Sequence, residues 1–502
     1  MDVTGGALEG RVRRDLAMWR GIPYAAPPVG DLRLRGPAPV VPWTGVRDAA
    51  HFGPVAPQDR NGQFLGPARG IPMSEDCLTL NVIAPQTSSD GLPVMVFIHG
   101  GAYSVGSSRE IRHQGEGLAR TGVVFVNFNY RLGALGYIDF TALSTPERPI
   151  DSNLGLRDQV AALKWVQDNI ASFGGDPDNV TIFGESAGGN AVTTLMTVPS
   201  AAGLFVRAIA QSSPPNAIYP SAITAAWARD YLEQLSEVVD NSSTESTSAE
   251  SAGELLFAAS AEDLVVAATR LQLATPDRSP GTIALSPVID GDFVPERPLD
   301  AFKAGRAHPV PLIIGTNDRE GSLFRGRLDI LATTPPRIRA IFANTSKKAR
   351  KALKAQYPGL PAPRPAADFG GDFAFWYPSV KVAERHARFA PVYFYRFDIA
   401  PRLVRLAGYD ATHGLELFAL FDRMDGWFGR GMGLLGGRRA FKAAGERMQR
   451  NWVSFAHDGR VDGWPRYTRR RRRTLIIDVV DRVEEDPRRE RRIAWQDFVP
   501  HV

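Results

Sequence analysis

Ser186 carries the clearest chemistry in the chain. It sits in Gly184-Glu185-Ser186-Ala187-Gly188, directly after the run Val180-Thr181-Ile182-Phe183. Such a run reads as a buried strand. The Gly-x-Ser-x-Gly pattern after it turns a strand sharply into a helix and lifts a hydroxyl to the top of a sheet. Small residues at Gly184 and Gly188 let strand and helix approach closely enough for that turn. A serine placed this way can attack a carbonyl carbon and hold an acyl group. The attack leaves a negative oxygen that needs preorganised N–H donors. Upstream, the strand-like Val94-Met95-Val96-Phe97-Ile98 runs into His99-Gly100-Gly101-Ala102-Tyr103. The amides of Gly101 and Ala102, with that of Ala187, would form the oxyanion hole. His99 is expected to hold this loop in shape rather than to react.

Serine is a weak nucleophile at neutral pH, so the chemistry also requires a base and a carboxylate that orients it. Among eight histidines, His413 stands in the glycine-flanked stretch Gly408-Tyr-Asp-Ala-Thr-His413-Gly414-Leu-Glu416, ahead of an apolar run, and is the candidate base. His51, His113, His308, His386, His457 and His501 lie in polar or terminal settings and are expected to be solvated or locally bonded. For the carboxylate, the strand-like Val310-Pro-Leu-Ile-Ile314 leads into the polar loop Gly315-Thr-Asn-Asp318-Arg319-Glu320-Gly321-Ser322. Sheets of alternating strands and helices place function at such carboxyl ends. Glu320 is the candidate and Asp318 its rival; spacing alone does not separate them. Glu185, beside the nucleophile, and Ser212, in Gln211-Ser212-Ser213, are expected to support the three reacting groups.

These residues must be brought together by one scaffold. Leu156, Val160, Leu163, Val166 and Ile170 recur at helical spacing just before the strand that leads to Ser186. Strand, helix, strand is the rhythm of a parallel sheet covered by helices. A chain of 502 residues, 44% of them hydrophobic, can bury a large core. Length alone suggests about three domains of about 150 residues each. The candidates spread from Gly101 to His413, however, and belong at one sheet. The expectation is therefore a single α/β domain over residues 1–502, with insertions at roughly 215–300 and 322–410. In the second of these, Phe373, Phe375 and Trp376 are expected either to line the site or to pack in the core. The Ser-rich stretch 239–253 is too poor in apolar residues to bury anything and reads as a mobile surface loop.

The motifs taken together resemble a known family. Arg20-Gly-Ile-Pro-Tyr24, Pro27-Pro-Val-Gly30, Pro42-Trp-Thr-Gly45, Glu75-Asp-Cys-Leu-Thr-Leu-Asn81, Asn129-Tyr-Arg-Leu-Gly133 and Phe173-Gly-Gly-Asp-Pro-Asp-Asn179 accompany the Ser186, Glu320 and His413 segments. Nearly end to end, the chain resembles the type-B carboxylesterases, the carboxylesterase and cholinesterase branch of the α/β-hydrolases, and its bacterial para-nitrobenzyl-esterase-like members. The resemblance implies the α/β-hydrolase fold: a large mixed, mostly parallel central sheet flanked by helices, with helical insertions forming a gorge over the site. It also implies the catalytic order Ser186, Glu320, His413, because the family's acid is the Glu directly before Gly. The implied activity is hydrolysis of carboxylic esters through an acyl-enzyme intermediate, with no cofactor and no metal. Alternatives are the same triad acting on amides or carbamates or transferring acyl groups, and a silent binding protein of the same fold. The resemblance further implies two structural ion pairs, Arg33 with Glu75 and Arg131 with Asp158. Three positions depart from the family: Ala102 replaces a glycine, Arg319 stands where an Asp is usual, and Cys77 lacks the upstream cysteine with which secreted relatives pair it.

A single cysteine points away from a disulfide-stabilised secreted protein. With no legible signal peptide and no apolar run of about 18 residues, the expected location is cytoplasmic. Matches to the glycosylation pattern at Asn179, Asn241 and Asn344 are then coincidental. A net charge of +5 is small for this length. The basic run Arg469–Arg473 lacks interleaved aromatics and reads as a solvated face or an acidic-surface contact, and Arg488–Arg492, with acids beside it, reads the same way. The expected partner is a small-molecule ester. Neither nucleic acid nor a membrane is implied, and the chain is expected to act as a monomer or weak homo-oligomer.

Overall fold

Val94, Val96 and Ile98 face one apolar core while Met95 and Phe97 face another. The two-residue period of a strand buried on both sides requires this division. The same alternation runs through Ile182 and Phe183, Ala208 and Ile209, and Ile314 and Ile313, so one sheet separates two layers of packing. In a computed structural model of the chain, residues 1–60, 70–86, 91–110, 113–242, 252–324 and 329–498 are described. Residues 243–251 of the Ser-rich stretch and His501 lie outside them.

The sheet has eleven strands. In chain order they are β1 (Arg11–Arg13), β2 (Leu16–Pro23), β3 (Thr79–Pro85), β4 (Leu92–Ile98), β5 (Val124–Phe128) and β6 (Gly175–Glu185). They continue as β7 (Arg207–Gln211), β8 (Leu312–Asn317), β9 (Val392–Phe397), β10 (Arg473–Ile477) and β11 (Arg482–Glu485). Their spatial order is β11-β10-β9-β8-β7-β6-β4-β5-β3-β2-β1. From β10 across to β5 every neighbouring pair is parallel, and antiparallel strands close both edges. Among the helices, α1 (Leu154–Asn169) buries Leu156, Val160, Leu163 and Val166 against the sheet, as their spacing predicts. Helix α2 (Ala187–Leu195) follows β6 directly and is buried throughout.

The insertions differ in part from expectation. Residues 215–300 do hold long helices, α3 (Ser221–Ser242) and α4 (Ala261–Arg278). The second anticipated insertion, 322–410, is too long, because β9 lies within it and pairs with β8. Helix α5 (Pro363–Gly371) belongs to the excursion, whereas α6 (Tyr377–His386) returns the chain to the sheet. The polar Gly315-Thr316-Asn317, expected as loop, completes β8 by pairing with Tyr395, Arg396 and Phe397. Parallel register with a buried neighbour overrides the local preference of those residues for a turn. Beyond β9 come α7 (Arg402–Leu406), α8 (Leu415–Leu420), α9 (Trp427–Met432) and α10 (Arg438–Asp458).

Candidate active site

Ser186 occupies the turn between β6 and α2 with φ 60° and ψ −123°. A non-glycine residue held there costs about 1–3 kcal/mol and persists only where its surroundings fix it. Here its N–H donates to the Gln211 carbonyl at 3.0 Å, and its carbonyl accepts from Asn190 N–H at 2.8 Å. Gly188 is required for the turn, since a Cβ at that position would overlap the carbonyl oxygen of Ile98 at the end of β4. The close approach that makes the elbow therefore also fixes the loop after β4. Within that loop Gly101 has φ 119°, and Ala102 and Tyr103 have φ 52° and 57°.

The two candidate carboxylates differ in their partners. Glu320 begins a short helical turn after β8 and is buried. Its Oε1 accepts from the Ser212 hydroxyl and from Asn317 N–H, both at 2.7 Å. Its Oε2 lies 2.6 Å from Nδ1 of His413. Asp318 is turned elsewhere and pairs with Arg488 at 2.8 Å and Arg396 at 3.5 Å. The structure thus brings Glu320, not its rival, to the imidazole.

His413 precedes α8 in a loop laced to the Glu320 loop. Arg319 N–H donates to the Ala411 carbonyl at 3.0 Å, Asn317 Nδ2 donates to the Thr412 carbonyl at 2.7 Å, and the Ser322 hydroxyl lies 2.7 Å from that of Thr412. Phe375 packs on the imidazole with ring centres 4.4 Å apart, and Phe324 with centres 5.2 Å apart. Nε2 has no hydrogen-bond partner among the described residues, while Glu185 Oε1 stands 3.2 Å from it. Burial alone would make the imidazolium more acidic. The carboxylates of Glu185 and Glu320, with the hydrogen bond to the latter, outweigh this and raise His413 to about 9.

Ser186, His413, Glu185, Gly100 and Gly101 line one cavity of about 470 Å³. Its remaining wall is mainly apolar, with Leu323, Leu403, Val404, Phe418, Trp427, Phe428 and Met432 among the contributors. None of the described residues of 215–300 lines it, contrary to the expectation for that insertion. Their apolar faces are consumed by packing in the larger core, although Gln272 of α4 reaches the Ala102 carbonyl at 3.3 Å. Ala102 lies beside the Phe324 and Phe375 cluster, and Ala187 is the first residue of α2, whose leading amides have no partner within the helix. The three aromatics left between two roles divide. Phe375 sits on His413, Phe373 packs against Phe369 and Trp495, and Trp376 lies under Arg488.

His99 is buried, with Nδ1 2.9 Å from the Gly100 carbonyl and its ring stacked on Tyr130 at 4.4 Å. Burial drives its imidazolium down to about 4, so it stays neutral. Both expected ion pairs are present: Arg33 with Glu75, and Arg131 with Asp158 at 2.6 Å. Two participants went unassigned in the sequence. Glu416, on α8, is fully buried and accepts from Asn317 Nδ2; burial and its neighbours Glu185 and Glu320 push its carboxyl up to about 8. Arg319 bridges Asp368 at 2.9 Å and Asp410 at 2.7 Å. Among the described residues no cluster of three or more His, Cys, Asp or Glu side chains could hold a metal ion.

A serine on a strand-to-helix elbow, a histidine paired to a strand-end glutamate and a mostly parallel sheet beneath them define an α/β-hydrolase. A family model described as the carboxylesterase family matches residues 1–495, and the chain belongs to that family. It is 36% identical over 494 residues to the para-nitrobenzyl esterase of Bacillus subtilis (strain 168), covering 97% of this chain and 96% of that protein. It is also 36% identical over 483 residues to the fumonisin B1 esterase of Sphingopyxis macrogoltabida, covering 93% of this chain and 84% of that one. A solved PNB esterase superposes with a TM-score of 0.83 at 35% identity, covering 98% of each chain. The protein is accordingly a serine carboxylesterase that hydrolyses carboxylic esters through an acyl-enzyme intermediate.

Proposed function

We propose that Ser186, His413 and Glu320 carry this hydrolysis. Ser186 Oγ attacks the ester carbonyl carbon while His413 Nε2 takes the hydroxyl proton. The oxyanion is held by the amide N–H groups of Gly101, Ala102 and Ala187. Collapse breaks the bond to the alcohol oxygen, which leaves with the proton from His413. Water, deprotonated by the same nitrogen, then attacks the acyl carbon and frees Ser186. Glu320 orients the ring and stabilises the imidazolium.

The observation that carries this reading is the chain of contacts from Ser212 through Glu320 to Nδ1 of His413, with Nε2 lacking a hydrogen bond among the described residues and Ser186 lining the same cavity. Hydrogen bonds to the nucleophile are often long in unliganded enzymes and tighten in the complex. The apolar wall favours esters with apolar acyl or alcohol groups. Cys77, the only cysteine and buried, supports a cytoplasmic setting. The test is turnover of p-nitrophenyl esters from acetate to decanoate by wild type and Ser186→Ala. Loss of turnover in the variant is expected, with the chain-length optimum sizing the pocket; survival of turnover would overturn the assignment of Ser186.

A further inference from the structure

Five large apolar side chains stand open on α7, on α9, whose Trp427 and Phe428 line the cavity, and on the segment that follows α9. Leu406 is 67% exposed, Trp427 86%, Phe428 41%, Leu434 76% and Leu435 51%. They come from three adjoining pieces of chain. Helices α7 and α9 pack together, and Arg402 N–H donates to the Gly436 carbonyl at 3.2 Å, drawing the segment after α9 against α7. Leu403 and Val404 of α7 and Trp427, Phe428 and Met432 of α9 also border the cavity that Ser186 and His413 line. The exposed face is thus continuous with the wall of the site. Contiguous apolar surface of this kind marks an interaction site rather than ordinary scatter.

Charge decides what the face would meet. Arg402, Arg405, Arg430 and Arg439 are exposed around it and form no ion pair with any described carboxylate. Every acid between residues 402 and 442 is already engaged. Asp410 pairs with Arg319 and Arg364, Asp422 and Asp425 pair with Lys442 and Arg438, and Glu416 is buried. The surface left over is apolar at its centre and positive at its rim. We propose that it docks on an anionic lipid surface, which brings the cavity mouth to esters held there. A tryptophan beside exposed leucines, ringed by arginines, matches the composition of interfacial segments that lie on a bilayer without crossing it. No helix among the described residues is long and apolar enough to cross one. A second copy of the chain fits less well, because a two-fold interface would set this arginine rim against itself. Runs of consecutive apolar residues do not reveal such a face, which folding assembles from separate segments.

Vesicle flotation tests the docking, which does not depend on the ester chemistry; delivery of substrate rests on the hydrolase reading. Full-length wild type is compared on neutral phosphatidylcholine vesicles and on vesicles containing phosphatidylglycerol. It is run beside Leu406→Ser/Leu434→Ser/Leu435→Ser and Arg402→Gln/Arg405→Gln/Arg439→Gln. None of the six substituted residues lines the cavity, so turnover of soluble p-nitrophenyl acetate should persist in both variants. Each arginine near an anionic surface contributes about fivefold in affinity, so the arginine variant should bind phosphatidylglycerol vesicles about 100-fold more weakly. The leucine variant should lose binding as well. Equal binding to both vesicle types, or none by an active wild type, would overturn the proposal. So would a concentration-dependent dimer that the leucine substitutions dissolve while vesicles go unbound, since the face would then belong to a second copy.

Discussion

The carboxylate of Glu185 stands 3.2 Å from Nε2 of His413, across the ring from Glu320, which lies 2.6 Å from Nδ1. An imidazole held between two buried acids keeps its proton more tightly than one with a single partner. A general base must be unprotonated to accept the serine proton. With His413 raised to about 9, kcat/KM should climb with unit slope through neutral pH and level off only above about 9. Glu185→Gln removes one of the charges that favour the imidazolium, so the limb should move to lower pH while the plateau persists. A pH profile with p-nitrophenyl acetate checks both statements. An unmoved limb in Glu185→Gln would show that this carboxylate does not set the titration.

Glu320 and Asp318 lie two residues apart, yet only Glu320 reaches the imidazole. Replacing the orienting carboxylate by its amide, in a triad of this kind, lowers kcat by about 10,000-fold. Glu320→Gln should show a loss of that order with KM little changed. Asp318→Asn breaks contacts to Arg488 and Arg396 and should cost stability, while leaving kcat within roughly tenfold. Steady-state kinetics beside thermal unfolding of the two variants separates these outcomes. A larger kcat loss in Asp318→Asn than in Glu320→Gln would reverse the assignment.

Local signals made much of the site legible. The elbow around Ser186 and the loop after Ile98 each join a strand pattern to a glycine motif. Helix α1 announces itself through Leu156, Val160, Leu163 and Val166 on one face. Residues whose roles depend on distant pairing were harder to read. Gly315-Thr316-Asn317 looks like a loop until β9 is laid beside it, where a Cβ at Gly315 would overlap the Tyr395 side chain. Asn317 then reaches Thr412 and Glu416, contacts spanning more than ninety positions. Such links leave no periodicity. The cavity wall from α7 to α9 was missed for the same reason, because short helices broken by Gly426, Gly433 and Gly436 carry little pattern of their own.

Arg319, one of the three positions that depart from the resembled pattern, ties the Glu320 loop to the His413 loop. Its Nη1 meets Asp410, three residues before His413, while its Nε meets Asp368 on α5. Arg319→Met should let the two loops drift apart. A displacement of about 1 Å can cost roughly 100-fold in rate. The expected signature is a fall in kcat of tenfold or more, roughly, with KM nearly unchanged. Lysine keeps the charge but not the two-pronged reach, so Arg319→Lys should restore the rate only in part. Parallel loss of kcat and of folded protein in both variants, with no change in kcat per folded molecule, would reduce Arg319 to a stabilising role.

Asp158 and Arg131 form the most deeply buried ion pair among the described residues, their side chains 0% and 4% exposed. Asp158 accepts from Arg131 Nε at 2.8 Å, from Nη2 at 2.6 Å and from the backbone N–H at 3.0 Å. The remaining nitrogen, Nη1, donates to the Arg35 carbonyl at 2.7 Å. Removing one partner leaves a charge in the core, which costs about 3–5 kcal/mol. That is a large share of the roughly 5–15 kcal/mol by which domains are commonly stable. Asp158→Asn should therefore lower the urea midpoint steeply. The double variant Arg131→Met/Asp158→Leu removes both charges and should recover much of the loss, because a buried pair is no more stabilising than well-packed apolar side chains of similar volume. Urea unfolding of the three proteins decides the matter. A double variant no more stable than Asp158→Asn would mean that the pair holds its segments through directed hydrogen bonds that packing cannot replace.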